Sequence, residues 1–169
     1  KIVAEGRPPV GMGLGINTGL GYIGEMGSTE RHSYDILGDA VSTAARLESQ
    51  CKAYGVLSII GETTYEATKD DFNYLKLDNI AVKGKTVGIT IYTVLDKKYG
   101  AVHTHDVMHQ QYRRQDFDSA IATCKALRND FDGQMNGYYD MWIERCEYMK
   151  TQDLPDMIEW DGVFIATSK

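Results

Sequence analysis

Cysteine is scarce in this chain: Cys51, Cys124 and Cys146 are the three in 169 residues. Their odd number, wide spacing and helix-like surroundings exclude a disulfide framework and a metal knuckle, both of which need paired, regularly spaced thiols. Reduced, buried thiols in a cytosolic segment are the expectation. Long apolar runs are missing too. No stretch approaches the ~20 residues that cross a bilayer, and the N-terminus lacks a charged-then-apolar signal pattern, so this segment is not expected in a membrane. Positive charge is outnumbered, 18 Lys and Arg against 24 Asp and Glu for a formal charge of -6. A duplex-binding surface must supply positive charge to displace counterions, so nucleic acid is excluded as the default partner. A small molecule or another protein is expected instead. What is present is a 43% hydrophobic chain of a length that suits one domain or one and a half. It begins with Lys1 rather than Met, which raises the expectation that it is a piece of something longer.

Residues Pro9 to Asn17 alternate strictly, with Val10, Met12, Leu14 and Ile16 on one side and Gly11, Gly13 and Gly15 on the other. That is a strand period, and the apolar face is expected to pack while the bare face admits another backbone or a ligand. Tyr22 to Met26 and His32 to Leu37 read as further strands. Asp39 follows Gly38 as the expected N-cap of a helix. In it Ala40, Ala44, Leu47, Cys51 and Tyr54 recur at spacings of three and four, and Gly55 supplies the stop. Ser42, Arg46 and Ser49 fall on a different face. A strand around Val56 to Ile60, a helical turn from Glu62 to Thr68, a strand near Tyr74 to Val82, the turn Lys83-Gly84-Lys85 and a strand from Val87 to Val94 follow. This order is α/β. Composition shifts near Asp96 to Val102, after which three amphipathic helices are expected, from His103 to Arg114, Phe117 to Asn129 and Tyr138 to Lys150. Trp160 to Thr167 reads as a turn and an extended strand.

Two constellations carry blander readings. Glycines at 11, 13 and 15 suggest a dinucleotide-binding turn, but such a turn must run directly into a helix, and here the glycines sit inside a strand. His105 and His109 form an i,i+4 pair able to bind metal, but no third ligand is evident, so a surface helix is expected.

The stretch Tyr34-Asp35-Ile36-Leu37-Gly38-Asp39-Ala40-Val41-Ser42-Thr43-Ala44-Ala45-Arg46-Leu47 joins a strand, a Gly-Asp turn and a helix with polar groups along one face. It resembles the class III adenylate/guanylate cyclase catalytic domain. The resemblance implies a ferredoxin-like palm, of which residues 1–97 would form the C-terminal half. A helical, tetratricopeptide-like extension over 98–169 would follow, ending in an extended segment. It also implies that Asp35 and Ile36 lie at the purine base, with Ser42 at the ribose, and Arg46 and Lys83 at the phosphates. Asp35 can accept a hydrogen bond from the exocyclic amine of adenine, whereas guanine would oppose it with a carbonyl oxygen. ATP is therefore the implied substrate, and 3′,5′-cyclic AMP and pyrophosphate the implied products. A rigid, multi-donor guanidinium one turn after Ser42 suits the charge that develops on the phosphates.

Blander readings stand beside these. Asp35 also reads as a strand-end cap, Arg46 as a surface arginine paired with Glu48 or Glu30, and Lys83 and Lys85 as a solvated hairpin turn. Ser42 departs from the family pattern, which has Asn there; its shorter reach puts strong turnover in doubt. The resemblance further implies Mg2+ or Mn2+ held by two aspartates that would precede Lys1. It implies a head-to-tail homodimer with shared active sites, and a cytoplasmic location. The ending Trp160-Asp161-Gly162-Val163 is similar to the C-terminal extension of bacterial cyclases with an N-terminal sensor and membrane helices. The alternative is a catalytically silent nucleotide-binding or dimerisation module with a protein-interaction tail.

Overall fold

The computed structural model of the chain describes residues 11–28, 31–81, 88–99, 103–156, 160 and 162. The architecture is mixed α/β, as the order of elements predicts. Strand β1 (Leu14–Ile16) leads into an antiparallel ribbon of β2 (Tyr22–Ser28) and β3 (Arg31–Leu37), and then into helix α1 (Asp39–Tyr54). Strand β4 (Ser58–Gly61), helix α2 (Glu62–Thr68), β5 (Asn73–Ala81) and β6 (Gly88–Leu95) complete a four-stranded sheet in the order β1-β4-β6-β5. β1 and β4 are parallel, so the chain between them must cross over the sheet, and α1 makes that crossing. Three helices follow: α3 (His103–Arg113), α4 (Phe117–Leu127) and α5 (Asn136–Met149).

Helix α1 buries Thr43, Leu47, Cys51 and Tyr54, the face that the three-and-four spacing marks. It ends where Gly55 adopts a left-handed conformation, with the Gly55 N–H donating to the Lys52 carbonyl and the Val56 N–H to that of Cys51. Its start differs from expectation. Gly38 occupies the cap position and Asp39 is the first helical residue, where its charge complements the helix dipole.

In the first strand the bare face admits another backbone, as expected, but the apolar face expected to pack does not. Leu14 and Ile16 each remain 46% exposed, while the glycine face lies against α1. A Cβ on Gly15 would stand 2.1 Å from the Ala44 carbonyl oxygen and 2.4 Å from the Glu48 nitrogen. With no side chain between them, helix backbone and strand backbone touch, and that contact sets the depth at which α1 lies.

One hydrophobic cluster runs from α1 through the sheet into the three C-terminal helices, including Leu47, Tyr54, Leu77, Met108, Tyr138 and Trp142. The histidine pair belongs to this interior. His105 is buried, and both imidazoles turn toward the Lys76 carbonyl of β5, so the surface-helix expectation for the pair is overturned. The i,i+4 spacing was right; the face it marks is the packed one. The three cysteines are free and buried, as expected. The extended segment expected from Trp160 onward lies outside the described residues apart from Trp160 and Gly162.

Candidate functional site

Ser42 and Arg46 lie one turn apart on the exposed side of α1, opposite the residues that anchor the helix to the sheet. Ser49, a further turn on, donates its hydroxyl to the Arg46 carbonyl at 2.7 Å. Asp35 is exposed on β3, the strand that feeds the helix, and its Oδ1 accepts the Ile36 N–H at 2.8 Å. Directly across the ribbon stands Gly24, and nothing lies within 4 Å of where its Cβ would be. The surface beside the Asp35 carboxylate is therefore open to a planar group. Strand alternation puts Ile36 on the opposite side of the ribbon, across from Ile23. What Ile36 offers on the aspartate's side is backbone.

The link between Asp35 and the helix is held closely. The Val41 and Ser42 N–H groups both donate to the Gly38 carbonyl at 3.1 Å. Gly38 itself is extended, and a Cβ there would stand 2.7 Å from the Leu20 carbonyl oxygen, so only glycine lets the two loops approach this closely. Asp35, Ser42 and Arg46 thus share one continuous strand, turn and helix unit. Lys83, and Lys85 as its second choice, lie outside the described residues.

These residues are not gathered in an enclosed pocket. A cavity of about 320 Å³ lies elsewhere, at the N-terminal end of α1, and its lining includes Asn17, Thr18, Asp39, Thr43, Glu62 and Thr63. Asp35, Ser42 and Arg46 are not among its walls. Asp39 and Glu62 are two carboxylates among its lining. Its polar residues were missed in the sequence, and they serve as wiring. Thr63 donates to the Thr18 carbonyl at 2.8 Å and to the Asn17 Oδ1 at 3.1 Å, and the Asn17 amide donates to the Ala40 carbonyl. The Asn-Thr pair closing the glycine alternation was the available signal.

Divalent metal does not fit the residues at hand. Among the described residues no group of three or more His, Cys, Asp or Glu could hold an ion. Among the described residues, too, no helix is long and apolar enough to cross a membrane.

Residues 1–96 match the sequence profile of the family described as Adenylate and Guanylate cyclase catalytic domain. The chain is 41% identical over 87 residues to an adenylate cyclase, terminal-differentiation specific, of Dictyostelium discoideum, a stretch covering 50% of this chain and 4% of that protein. It is 33% identical over 92 residues to adenylate cyclase 1 of Rhizobium meliloti, covering 54% of this chain and 14% of that protein. The matched stretch thus spans a small part of these relatives' length. Among solved structures, the adenylyl cyclase CyaB from P. aeruginosa is similar at 36% identity and a TM-score of 0.43, over 48% of this chain and 41% of that one.

Proposed function

This chain belongs to the adenylate and guanylate cyclase catalytic domain family, and from that premise we propose that the protein containing it is an adenylate cyclase, converting ATP to 3′,5′-cyclic AMP and pyrophosphate in signal transduction. The observation that carries the reading is the shared exposure of Asp35, Ser42 and Arg46 on one strand, turn and helix unit, with open space across from Asp35. Asp35 accepts a hydrogen bond from the adenine amine, and guanine is disfavoured because two acceptors would meet. Ser42 donates to the ribose. Arg46 holds the phosphates and stabilises the charge that grows on them as pyrophosphate leaves, and Lys83 joins it there.

A head-to-tail homodimer completes the site. Both faces of the ribbon that carries Asp35 expose large apolar side chains, Tyr22 and Leu37 on the aspartate's face and Ile23 and Tyr34 on the other, and burial of such side chains favours association. The aspartates for Mg2+ or Mn2+ would come from the part of the catalytic domain that this chain does not carry. The helices beyond residue 97 form an extension of the catalytic segment, and the whole works in the cytoplasm, as the soluble portion of a membrane-anchored parent.

The test is an assay of the full-length protein with ATP and GTP, repeated with Asp35→Ala and Arg46→Ala. The reading expects cyclic AMP from ATP, loss of the preference for ATP in Asp35→Ala, and near-complete loss of turnover in Arg46→Ala. Unchanged turnover in Arg46→Ala would remove the catalytic role. A second reading, a silent nucleotide-binding or dimerisation module, is favoured by one residue: Ser42 reaches less far than the Asn of the family pattern. It predicts binding of an ATP analogue without product.

A further inference from the structure

Strand β5 carries an irregularity that the rest of the sheet lacks among the described residues. Lys76 pairs with Tyr92 and Asp78 with Ile91, so Leu77 is an extra residue in the ladder. A bulge of this kind re-aims side chains and leaves backbone groups without ladder partners. Here Leu77 and Asp78 are both buried, so a carboxylate is turned into the interior. Two carbonyls at the bulge are met from the C-terminal helices. His105 and His109 of α3 direct their Nε2 atoms at the Lys76 carbonyl, and the Tyr138 hydroxyl of α5 donates to the Leu77 carbonyl at 2.6 Å.

The carboxylate is met from both sides. Arg145 of α5 donates from Nη1 to Asp78 Oδ2 at 2.6 Å, with the two side chains 7% and 4% exposed. Tyr54, the last residue of α1, donates its hydroxyl to the same oxygen at 2.7 Å. Burial opposes the guanidinium's charge, but Asp78 and Tyr54 hold its pKa above the ordinary value, and burial beside Asp78 raises that of Tyr54. The Trp142 ring lies 4.4 Å from the guanidinium carbon, a cation–π contact that restricts it further. A second contact joins the same two helices. A Cβ on Gly55 would stand 2.6 Å from the Gly137 carbonyl carbon, so the end of α1 and the start of α5 touch backbone to backbone.

We infer that Arg145 is a positioning residue for the nucleotide site: through Asp78 it holds Tyr54 and the C-terminal end of α1, and so fixes the helix that presents Ser42 and Arg46. The helical tail then acts on the site by setting the lie of α1 against the sheet. A rigid helix transmits displacement at one end to the groups along it, and catalytic turnover is sensitive to such misplacement. The activity arm of the test rests on the cyclase reading.

The experiment uses the full-length protein with Arg145→Met, which keeps bulk and removes the charge, and Tyr54→Phe, which removes only the hydroxyl. Lys150→Ala is the control, since it breaks exposed ion pairs with Asp118 and Glu147 in the tail alone. Turnover of ATP is measured per folded molecule, together with amide hydrogen exchange over residues 47–54. Arg145→Met is expected to lower kcat roughly tenfold or more, with KM changed far less, and to speed exchange at the end of α1. Tyr54→Phe is expected to lower kcat several-fold, and it carries the test if Arg145→Met does not fold. Lys150→Ala should behave as wild type. A merely structural role would lower the folded fraction while leaving kcat per folded molecule and α1 exchange unchanged, and that result overturns the inference. If the wild-type protein makes no cyclic nucleotide, the cyclase reading fails separately, and exchange alone decides: faster exchange over 47–54 supports the coupling, and unchanged protection refutes it.

Discussion

Replacing Gly15 by Ala adds one methyl group where α1 and β1 meet. The new Cβ would lie 2.1 Å from the Ala44 carbonyl oxygen and 2.4 Å from the Glu48 nitrogen, both of them helix backbone with no rotamer to change. The helix must therefore withdraw by about 1 Å before the contact is tolerable, opening the close packing beneath Leu47 and Cys51. Overpacking of this kind costs about 1–3 kcal/mol, which in a chain of this size lowers Tm by roughly 3–10 °C. Gly24→Ala is the matched control, because its Cβ meets nothing within 4 Å, and it should stay within roughly 0.5 kcal/mol of wild type. Since α1 carries Ser42 and Arg46, a displacement of that size should also cost on the order of 100-fold in turnover. Thermal unfolding followed by circular dichroism, and a cyclic AMP assay on the full-length protein, read the two effects. Equal melting temperatures for Gly15→Ala and Gly24→Ala would refute the claim that α1 rests directly on the glycine face.

Burial lowers the His105 and His109 pKa values below the usual 6.5, and the neighbouring His105 lowers that of His109 further. An unfolded chain then binds more protons than the folded one below about pH 6.5, so the pair's contribution to stability is full above that pH and lost as pH falls through it. Melting temperature should drop between about pH 7 and 5 more steeply in wild type than in His105→Gln/His109→Gln; equal slopes would count against it. Burial also raises the Cys51 thiol and pushes Cys124 and Cys146 up to about 12. Native protein should resist alkylation at about pH 8 and react fully in urea, whereas native labelling of Cys124 or Cys146 at a free-thiol rate contradicts the packing. Tyr138→Phe strands the Leu77 carbonyl, for a loss of about 1–3 kcal/mol in denaturant unfolding. An unchanged midpoint would mean that the bulge carbonyl finds another partner.

Periodicity carried the elements well, because it depends only on neighbours along the chain. The spacing of Leu47, Cys51 and Tyr54 marked the buried face of α1, Glu62 to Thr68 matched α2, and Ser42 and Arg46 fell on the exposed face as read. Alternation in Pro9 to Asn17 showed two faces and allowed a backbone against the bare one, but wrongly buried the apolar one. That was decided by the close approach of α1, a long-range fact that makes absence of a side chain the requirement for contact. The same limit hid Asp78 and Arg145. In sequence each is an ordinary charged residue, and only the extra residue at Leu77 and the docking of α5 bring them together inside the core. His105 and His109 were visible as a pair, yet their burial depended on backbone carbonyls released by that bulge. The candidate site was legible as a motif in one stretch of chain, while the cavity beside the start of α1 was not, because Asn17 and Thr18 meet Thr63 only through hydrogen bonds across 45 or 46 residues.

The central claim is that one purine nucleotide is gripped at its base by Asp35 and at its phosphates by Arg46. A crystal structure of the full-length protein with a non-hydrolysable ATP analogue measures this directly. The adenine amine is expected within hydrogen-bonding distance of the Asp35 carboxylate and the Arg46 guanidinium on the phosphate oxygens of the same ligand, at ~2.7–3.2 Å in each case. An analogue seated instead in the cavity lined by Asn17, Thr18 and Thr63, with Asp35 and Arg46 facing solvent, would contradict it.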